Sequence, residues 1–264
     1  MTILKTTHPD QRKMNKTPPS PGRLIAASLG PGDPWLITRA AWRVLESAPC
    51  WAWPESRQEG GGYAIDIVQR SGLPLPAHTL PLSFPMTRDI LVLARHWQAA
   101  AEQVLAVLNR GMDVVFLVEG DASFFSTFGH LQRTLQAMDP AIQVEIIPGV
   151  PSPLAAAALT RRGLCDGDQS LALVSATVGM ARIDRLLTDF ETVVLLKVRP
   201  VLDPLLDLLQ TRNLLDKARF VERAGAPEER VVDNVWSLKG TQVHYLSLMI
   251  VHCNDGEAAL GDRR

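Results

Sequence analysis

LIAASLGPGDPWLITRAAWRVLES occupies residues 24–47. Its first six residues form a short apolar run that stops at Gly30-Pro31-Gly32-Asp33-Pro34, after which apolar residues return at helical spacing. Strand, glycine loop, helix is the unit this predicts. Outward from it, the same alternation recurs. WAWP around Trp51 predicts a second strand, and Gly60-Gly61-Gly62 a mobile loop. From Ile90 to Leu108, the residues Ile90, Leu93, Ala94, Trp97, Ala101, Val104, Leu105 and Leu108 share one helical stripe, with Gly111 as the stop. DVVFLV (residues 113–118) is a continuous run of the kind a buried strand shows. It ends in Glu119-Gly120-Asp121, and a helix is expected to follow as far as Met138.

A second series starts with IQVEII (residues 142–147), which ends in PGVPSP and enters the alanine-rich helix LAAAALTRR. SLALVSA, TVVLLKV, ARFVERA and YLSLMIV supply further strands, with helices expected over residues 180–187 and in VLDPLLDLLQ. The pattern predicts an α/β fold of two lobes, residues 22–138 and 139–253, meeting near residues 136–140. Residues 1–21 are expected to be a disordered leader and 254–264 a flexible tail.

Composition narrows the function classes. A chain of 264 residues with 46% hydrophobic and 21% charged residues has the make-up of a folded soluble protein rather than a disordered or collagen-like one. Lys and Arg number 27 against 28 Asp and Glu, so there is no global positive field to hold nucleic acid. No run approaches the ~18 apolar residues of a membrane span, and the basic N-terminal stretch lacks the apolar core of a secretory signal. Cys50, Cys165 and Cys253 form no C-x-x-C pair, which fits a reducing cytoplasm and three buried thiols. None of the six histidines forms an H-x-x-x-H pair, so no protein-bound metal is expected. G-x-G-x-x-G, the P-loop and the G-x-S-x-G elbow are all missing.

In open α/β sheets, ligands collect at the carboxyl ends of strands. Four such ends carry unusual turns: GPGDP at 30–34, EGDASFF at 119–125, PGVPSP at 148–153 and KVRP at 197–200. Each alone is an ordinary tight turn. Together with PMTRD (residues 85–89) and ERAGAPEER (residues 222–230), in this order and spacing, they resemble the tetrapyrrole (corrin/porphyrin) methyltransferases. The resemblance runs from Arg23 to Val251, and PMTRD with EGDASFFSTF is most similar to the branch acting on C20 of precorrin-2.

That resemblance implies a cofactor cleft between two α/β lobes, S-adenosyl-L-methionine as co-substrate, a tetrapyrrole substrate and a homodimer. It also implies methylation of C20 of precorrin-2 or cobalt-precorrin-2 in cobalamin synthesis. Position by position, it implies contact with the methyl donor at Pro31, Glu119, Gly120, Asp121, Phe124, Pro151, Ser152, Val198 and Ala224. A donor with a sulfonium and an adenine needs backbone hydrogen bonds and a close apolar wall rather than a phosphate cradle. The tetrapyrrole's carboxylates call for cations, for which Arg88, Lys197, Arg199 and Arg223 are the candidates, beside the loop residues Gly30, Gly32 and Asp33. A proton must leave C20 after transfer, and Asp33, Asp121 and His130 are the candidates to receive it. Two other readings stand beside this one: methylation of a different tetrapyrrole position, and a silent homologue that only binds.

Overall fold

The structure is a computed structural model that describes residues 20–55, 62–85, 87 and 89–254. The expected leader and tail lie almost wholly outside these residues, as do Gly60, Gly61 and Arg88. The remaining chain forms two five-stranded sheets.

The first sheet contains β1 (Leu24–Ser28), β2 (Cys50–Glu55), β3 (His78–Ser83), β4 (Val114–Val118) and β5 (Val144–Ile147), ordered β3-β2-β4-β1-β5 with every pair parallel. Parallel strands need crossovers, and four helices supply them: α1 (Arg39–Ser47), α2 (Tyr63–Arg70), α3 (Ile90–Leu108) and α4 (Phe128–Met138). The two-residue repeat of a strand divides β1 between two cores. Ile25 and Ala27 pack with Ala41, Leu45, Ile67 and Val68 from α1 and α2. Leu24 and Ala26 pack with Val104, Leu108, Leu131 and Leu135 from α3 and α4. A strand covered on both faces is apolar throughout, which is why β1 and β4 read as unbroken runs.

The second sheet contains β6 (Leu171–Ser175), β7 (Thr192–Leu196), β8 (Ala218–Glu222), β9 (Arg230–Val232) and β10 (Ser247–His252), ordered β6-β7-β10-β8-β9. Only β6 and β7 are parallel; β10 and β9 pair antiparallel to their neighbours. Two helices, α6 (Met180–Asp189) and α7 (Leu202–Thr211), cover one face through Ile183, Leu187, Leu205 and Leu209. On the opposite face, Ala155 and Ala156 of α5 (Ser152–Leu159) meet Val194, Leu196, Val221, Leu248 and Ile250.

Several expectations change. β5 pairs with β1 in the first sheet, so the chain passes to the second sheet after Ile147 rather than near residues 136–140. A helix and strand that complete a βαβ unit look, in sequence, like the start of a new lobe. The sequence patterns did not point to α2, β3 and β9. β3 is an edge strand of the first sheet, largely exposed and interrupted by Pro81, and β9 is three residues at an edge of the second sheet. Cys50 and Cys253 are buried, but Cys165 is exposed. Among the described residues no helix is long and apolar enough to cross a membrane.

Candidate functional site

Three loops leave the carboxyl ends of β1, β4 and β5, and their backbones are tied together. Gly30 and Gly120 form an antiparallel bridge, with N–H to carbonyl distances of 3.1 and 2.7 Å. Both have positive φ, +79° and +70°, which glycine adopts without strain. The Ala122 N–H donates to Ser28 Oγ at 2.9 Å. Asp121 then closes the set: Oδ1 accepts from the Ser123 N–H at 2.8 Å and the Ser123 hydroxyl at 2.5 Å, while Oδ2 accepts from the Gly149 N–H at 2.7 Å. Burial alone would raise the Asp121 pKa. The hydrogen bonds from the Ser123 side chain, Gly149 and the Ser123 backbone outweigh it and hold the carboxyl below its usual range.

The glycines of these loops do different work. A Cβ on Gly149 would lie 2.5 Å from Ser28 Cβ and 2.6 Å from the Gly120 carbonyl, so the third loop can seat itself only without one. A Cβ on Gly120 would meet nothing within 4 Å. Space in front of Gly120 is therefore open, as a backbone-binding ligand requires.

The first loop also joins the two sheets. Gly32 packs on the turn after β8, where a Cβ would come within 2.6 Å of the Ala224 carbonyl and 2.9 Å of the Ala226 nitrogen. Gly225 returns the contact, its missing Cβ leaving room for the Asp33 nitrogen. Tyr63 donates to the Pro31 carbonyl at 3.2 Å, and Arg70 Nη2 to the Gly32 carbonyl at 2.7 Å. Burial and then the nearby Glu119 charge raise the Tyr63 pKa far above its ordinary value, keeping the phenol a neutral donor. Phe124 crosses from the β4 loop into the second sheet's apolar cluster beside Leu196, Val221, Ala224 and Leu248.

The predicted residues can now be placed. Gly30, Pro31, Gly32, Gly120, Asp121 and Ala224 lie on this connected set of loops, and Phe124 is in its apolar wall. Pro151 caps the start of α5 and Ser152 is its first residue, two and three positions beyond Gly149. Glu119 is half-buried and bears on Tyr63. Asp33 Oδ1 accepts from the Trp35 N–H at 2.9 Å, leaving the carboxyl fixed at the mouth of the loop. On the second sheet, Lys197 and Arg223 end β7 and β8 with φ of +56° and +53°, and Arg199 is exposed in the next turn. Arg223 pairs with Glu228 at 3.0 Å.

Three of the predicted residues have surroundings that bear on their expected roles. The Val198 side chain is 0% exposed, packed with Ala176 and Leu202 on the helix-covered face of the second sheet, so only its backbone can meet a ligand. His130 is exposed on α4, its ring stacked on Trp97 of α3 at 5.1 Å and its Nδ1 3.2 Å from Arg133, in a helix surface rather than among the loops. Asp121 has both oxygens committed to holding loops, and its lowered pKa makes it a poor proton acceptor. Arg88 lies outside the described residues. Sequence reasoning passed over Ser28, Tyr63, Arg70 and Gly149, whose partners are 28 to 94 positions away in the chain.

Comparison with known proteins gives the family. Residues 23–238 match the family described as Tetrapyrrole (Corrin/Porphyrin) Methylases. The chain is 32% identical over 246 residues to the precorrin-2 C(20)-methyltransferase of Sinorhizobium sp, covering 87% of this chain and 95% of that one. It is 35% identical over 209 residues to the cobalt-precorrin-2 C(20)-methyltransferase of Salmonella typhimurium, covering 79% and 86%. Among solved structures, the uroporphyrin-III C-methyl transferase of Thermus thermophilus, complexed with S-adenyl homocysteine, superposes with a TM-score of 0.61 at 26% identity, over 87% of this chain and 97% of that one. With its motifs in order, its loops clamped at the strand ends and the match spanning nearly the whole described chain, the protein belongs to the tetrapyrrole (corrin/porphyrin) methylases.

Proposed function

We propose that this protein transfers the methyl group of S-adenosylmethionine to C20 of precorrin-2 or cobalt-precorrin-2 in cobalamin synthesis. The observation that carries the reading is the clamp of three loops around open space at Gly120, in a chain 32–35% identical to two C20-methyltransferases. The donor fits these residues. The Pro31 and Gly120 carbonyls, each already accepting one hydrogen bond, keep a second lone pair, and the Ser152 backbone adds a polar group at the start of α5. Phe124 and Ala224 offer an apolar wall, and Glu119 supplies a negative charge near a positive sulfonium.

When bound, S-adenosylmethionine supplies an electrophilic methyl group. The protein's own contribution is placement. C20 of an enamine-like tetrapyrrole is already nucleophilic, so aligning it with the methyl group can be worth ~7 to 11 kcal/mol. Ser28, Asp121 and Gly149 hold the loops that fix the donor, while Tyr63 and Arg70 of α2 hold the first loop by its Pro31 and Gly32 carbonyls. Lys197, Arg199 and Arg223 supply cations for the substrate's carboxylates, and Arg88, outside the described residues, is a further candidate by its place in PMTRD. Asp33, oriented by the Trp35 N–H, accepts the proton that leaves C20.

We place the enzyme in the cytoplasm as a homodimer. Trp35, 92% exposed, and the exposed Leu154 and Ile146 are large apolar side chains that a second copy would cover. Sedimentation at micromolar concentration checks this: a dimer supports it and a monomer rejects it. The activity is tested by incubating the protein with S-adenosylmethionine and each substrate form. One added methyl group supports the reading, and no product from either form rejects it.

A further inference from the structure

Five non-glycine residues among those described have φ in the left-handed region. Two of them, Arg161 and Asn213, each follow the C-cap of a helix, α5 and α7, where that conformation is a common way to end. Helix termination does not account for Phe125, Lys197 and Arg223. Phe125, with φ +49°, is the least expected, because a bulky side chain there is an outlier that surrounding structure must enforce.

The left-handed turn splits two adjacent phenylalanines. Phe124 enters the apolar cluster under the second sheet, whereas Phe125 stands edge-on to it at 4.9 Å and stays 53% exposed. Lys197, itself left-handed at φ +56°, comes from the other sheet and places its ammonium 5.7 Å from the Phe125 centroid. Burial gains nothing from a ring kept half in water, and two strained residues meeting from different sheets is not a folding requirement. A half-exposed aromatic ring with a cation over one of its faces matches one ligand chemistry well: a conjugated macrocycle with carboxylate arms.

We infer that Phe125 and Lys197 together form a platform that positions the tetrapyrrole, the ring lying against the macrocycle and the ammonium pairing one peripheral carboxylate. Phe125 is thereby a specificity-determining residue for the acceptor and not part of the donor pocket. The inference rests on the tetrapyrrole reading above.

Titration with uroporphyrin, a stable fluorescent polycarboxylate tetrapyrrole, tests it without requiring turnover. Phe125→Leu and Phe125→Gly, the second of which keeps the left-handed turn without strain, should each weaken binding about five- to tenfold. Lys197→Met should weaken it by a similar factor and flatten its salt dependence, and Lys197→Arg should restore both. In the methylation assay the loss should fall on KM rather than kcat, and S-adenosylhomocysteine affinity by calorimetry should stay within about twofold. Unchanged tetrapyrrole affinity and KM in folded variants overturns the platform, as does an equal loss of S-adenosylhomocysteine affinity. Wild-type protein that binds uroporphyrin through these residues but methylates neither precorrin-2 form leaves the platform standing and removes the C20 reading. Wild-type protein that methylates precorrin-2 while its Phe125 and Lys197 variants match it does the reverse. Wild-type protein that binds no tetrapyrrole rejects both.

Discussion

The loops of the first sheet and those of the second meet at one site but are built by different means. At the ends of β1, β4 and β5, conformation is fixed by backbone: a glycine bridge, a buried carboxylate holding two loops, and a glycine that fits only without a Cβ. At the ends of β7 and β8, the left-handed turns fall on Lys197 and Arg223, so those turns carry long cationic side chains where glycine would have none. Sheet topology explains the contrast. An all-parallel sheet brings every strand's carboxyl end to one edge, where neighbouring loops can bond to each other. In the mixed second sheet β10 runs between β7 and β8 in the opposite direction, so the Lys197 and Arg223 N–H groups bond to the Ser247 and Leu246 carbonyls entering β10, and their side chains are left to face outward from the strand ends. In the function proposed above, the first lobe's loops are the cradle for the donor and the second lobe's cations are the groups that choose the acceptor.

The most disruptive way to break this division is Gly149→Ala. Its Cβ would meet Ser28 and the Gly120 carbonyl, so stability should fall by about 3 kcal/mol and the melting temperature by roughly 6 to 12 °C. Gly120→Ala, which meets no atoms, should cost only about 1 kcal/mol for its positive φ. Equal losses in the two variants would contradict the clamp.

Asp121→Asn probes the same clamp through pH. Folding lowers the Asp121 pKa, so the unfolded chain holds the proton more tightly. Its contribution is complete above the unfolded value of about 3.9 and is lost as pH falls through the folded one. The variant should be less stable by about 1 to 2 kcal/mol at pH 6. By pH 3 that gap should narrow in thermal melts; a constant gap would mean that the charge does not hold the loops.

How much of this was legible beforehand depended on the range of each contact. β1 and β4 were readable because burial on both faces writes itself as an apolar run. β3, with Pro81 and an exposed edge, leaves no such trace. The loops at 30–34, 119–125 and 148–153 were visible as glycine and proline clusters, but Asp121 read as a proton acceptor because its partner Gly149 lies 28 positions on. Tyr63 and Arg70 gave no local signal, since each acts on a carbonyl more than 30 positions earlier. Val198 followed the family pattern, yet it lies beyond β7, where the left-handed Lys197 breaks the strand alternation and turns the Val198 side chain to the helix-covered face.

Smaller effects sharpen the comparison. Tyr63→Phe removes one donor to the Pro31 carbonyl and should lower stability by about 1 kcal/mol, with a modest rise in the donor's dissociation constant by calorimetry. A change in KM for the tetrapyrrole alone would place Tyr63 with the acceptor groups instead. His130→Ala lies outside both sets of loops and should leave turnover within about twofold of wild type, because the ring packs on Trp97. A loss on the order of a hundredfold, the scale of general acid–base catalysis, would restore it as a proton carrier.

The most direct test uses S-adenosylmethionine carrying a 13C-labelled methyl group, with precorrin-2 and its cobalt complex as acceptors, followed by mass spectrometry and 13C NMR of the product. The account predicts one added methyl group, with the label at C20, from at least one of the two acceptors. Label at another carbon, or no labelled product from either acceptor, would contradict it.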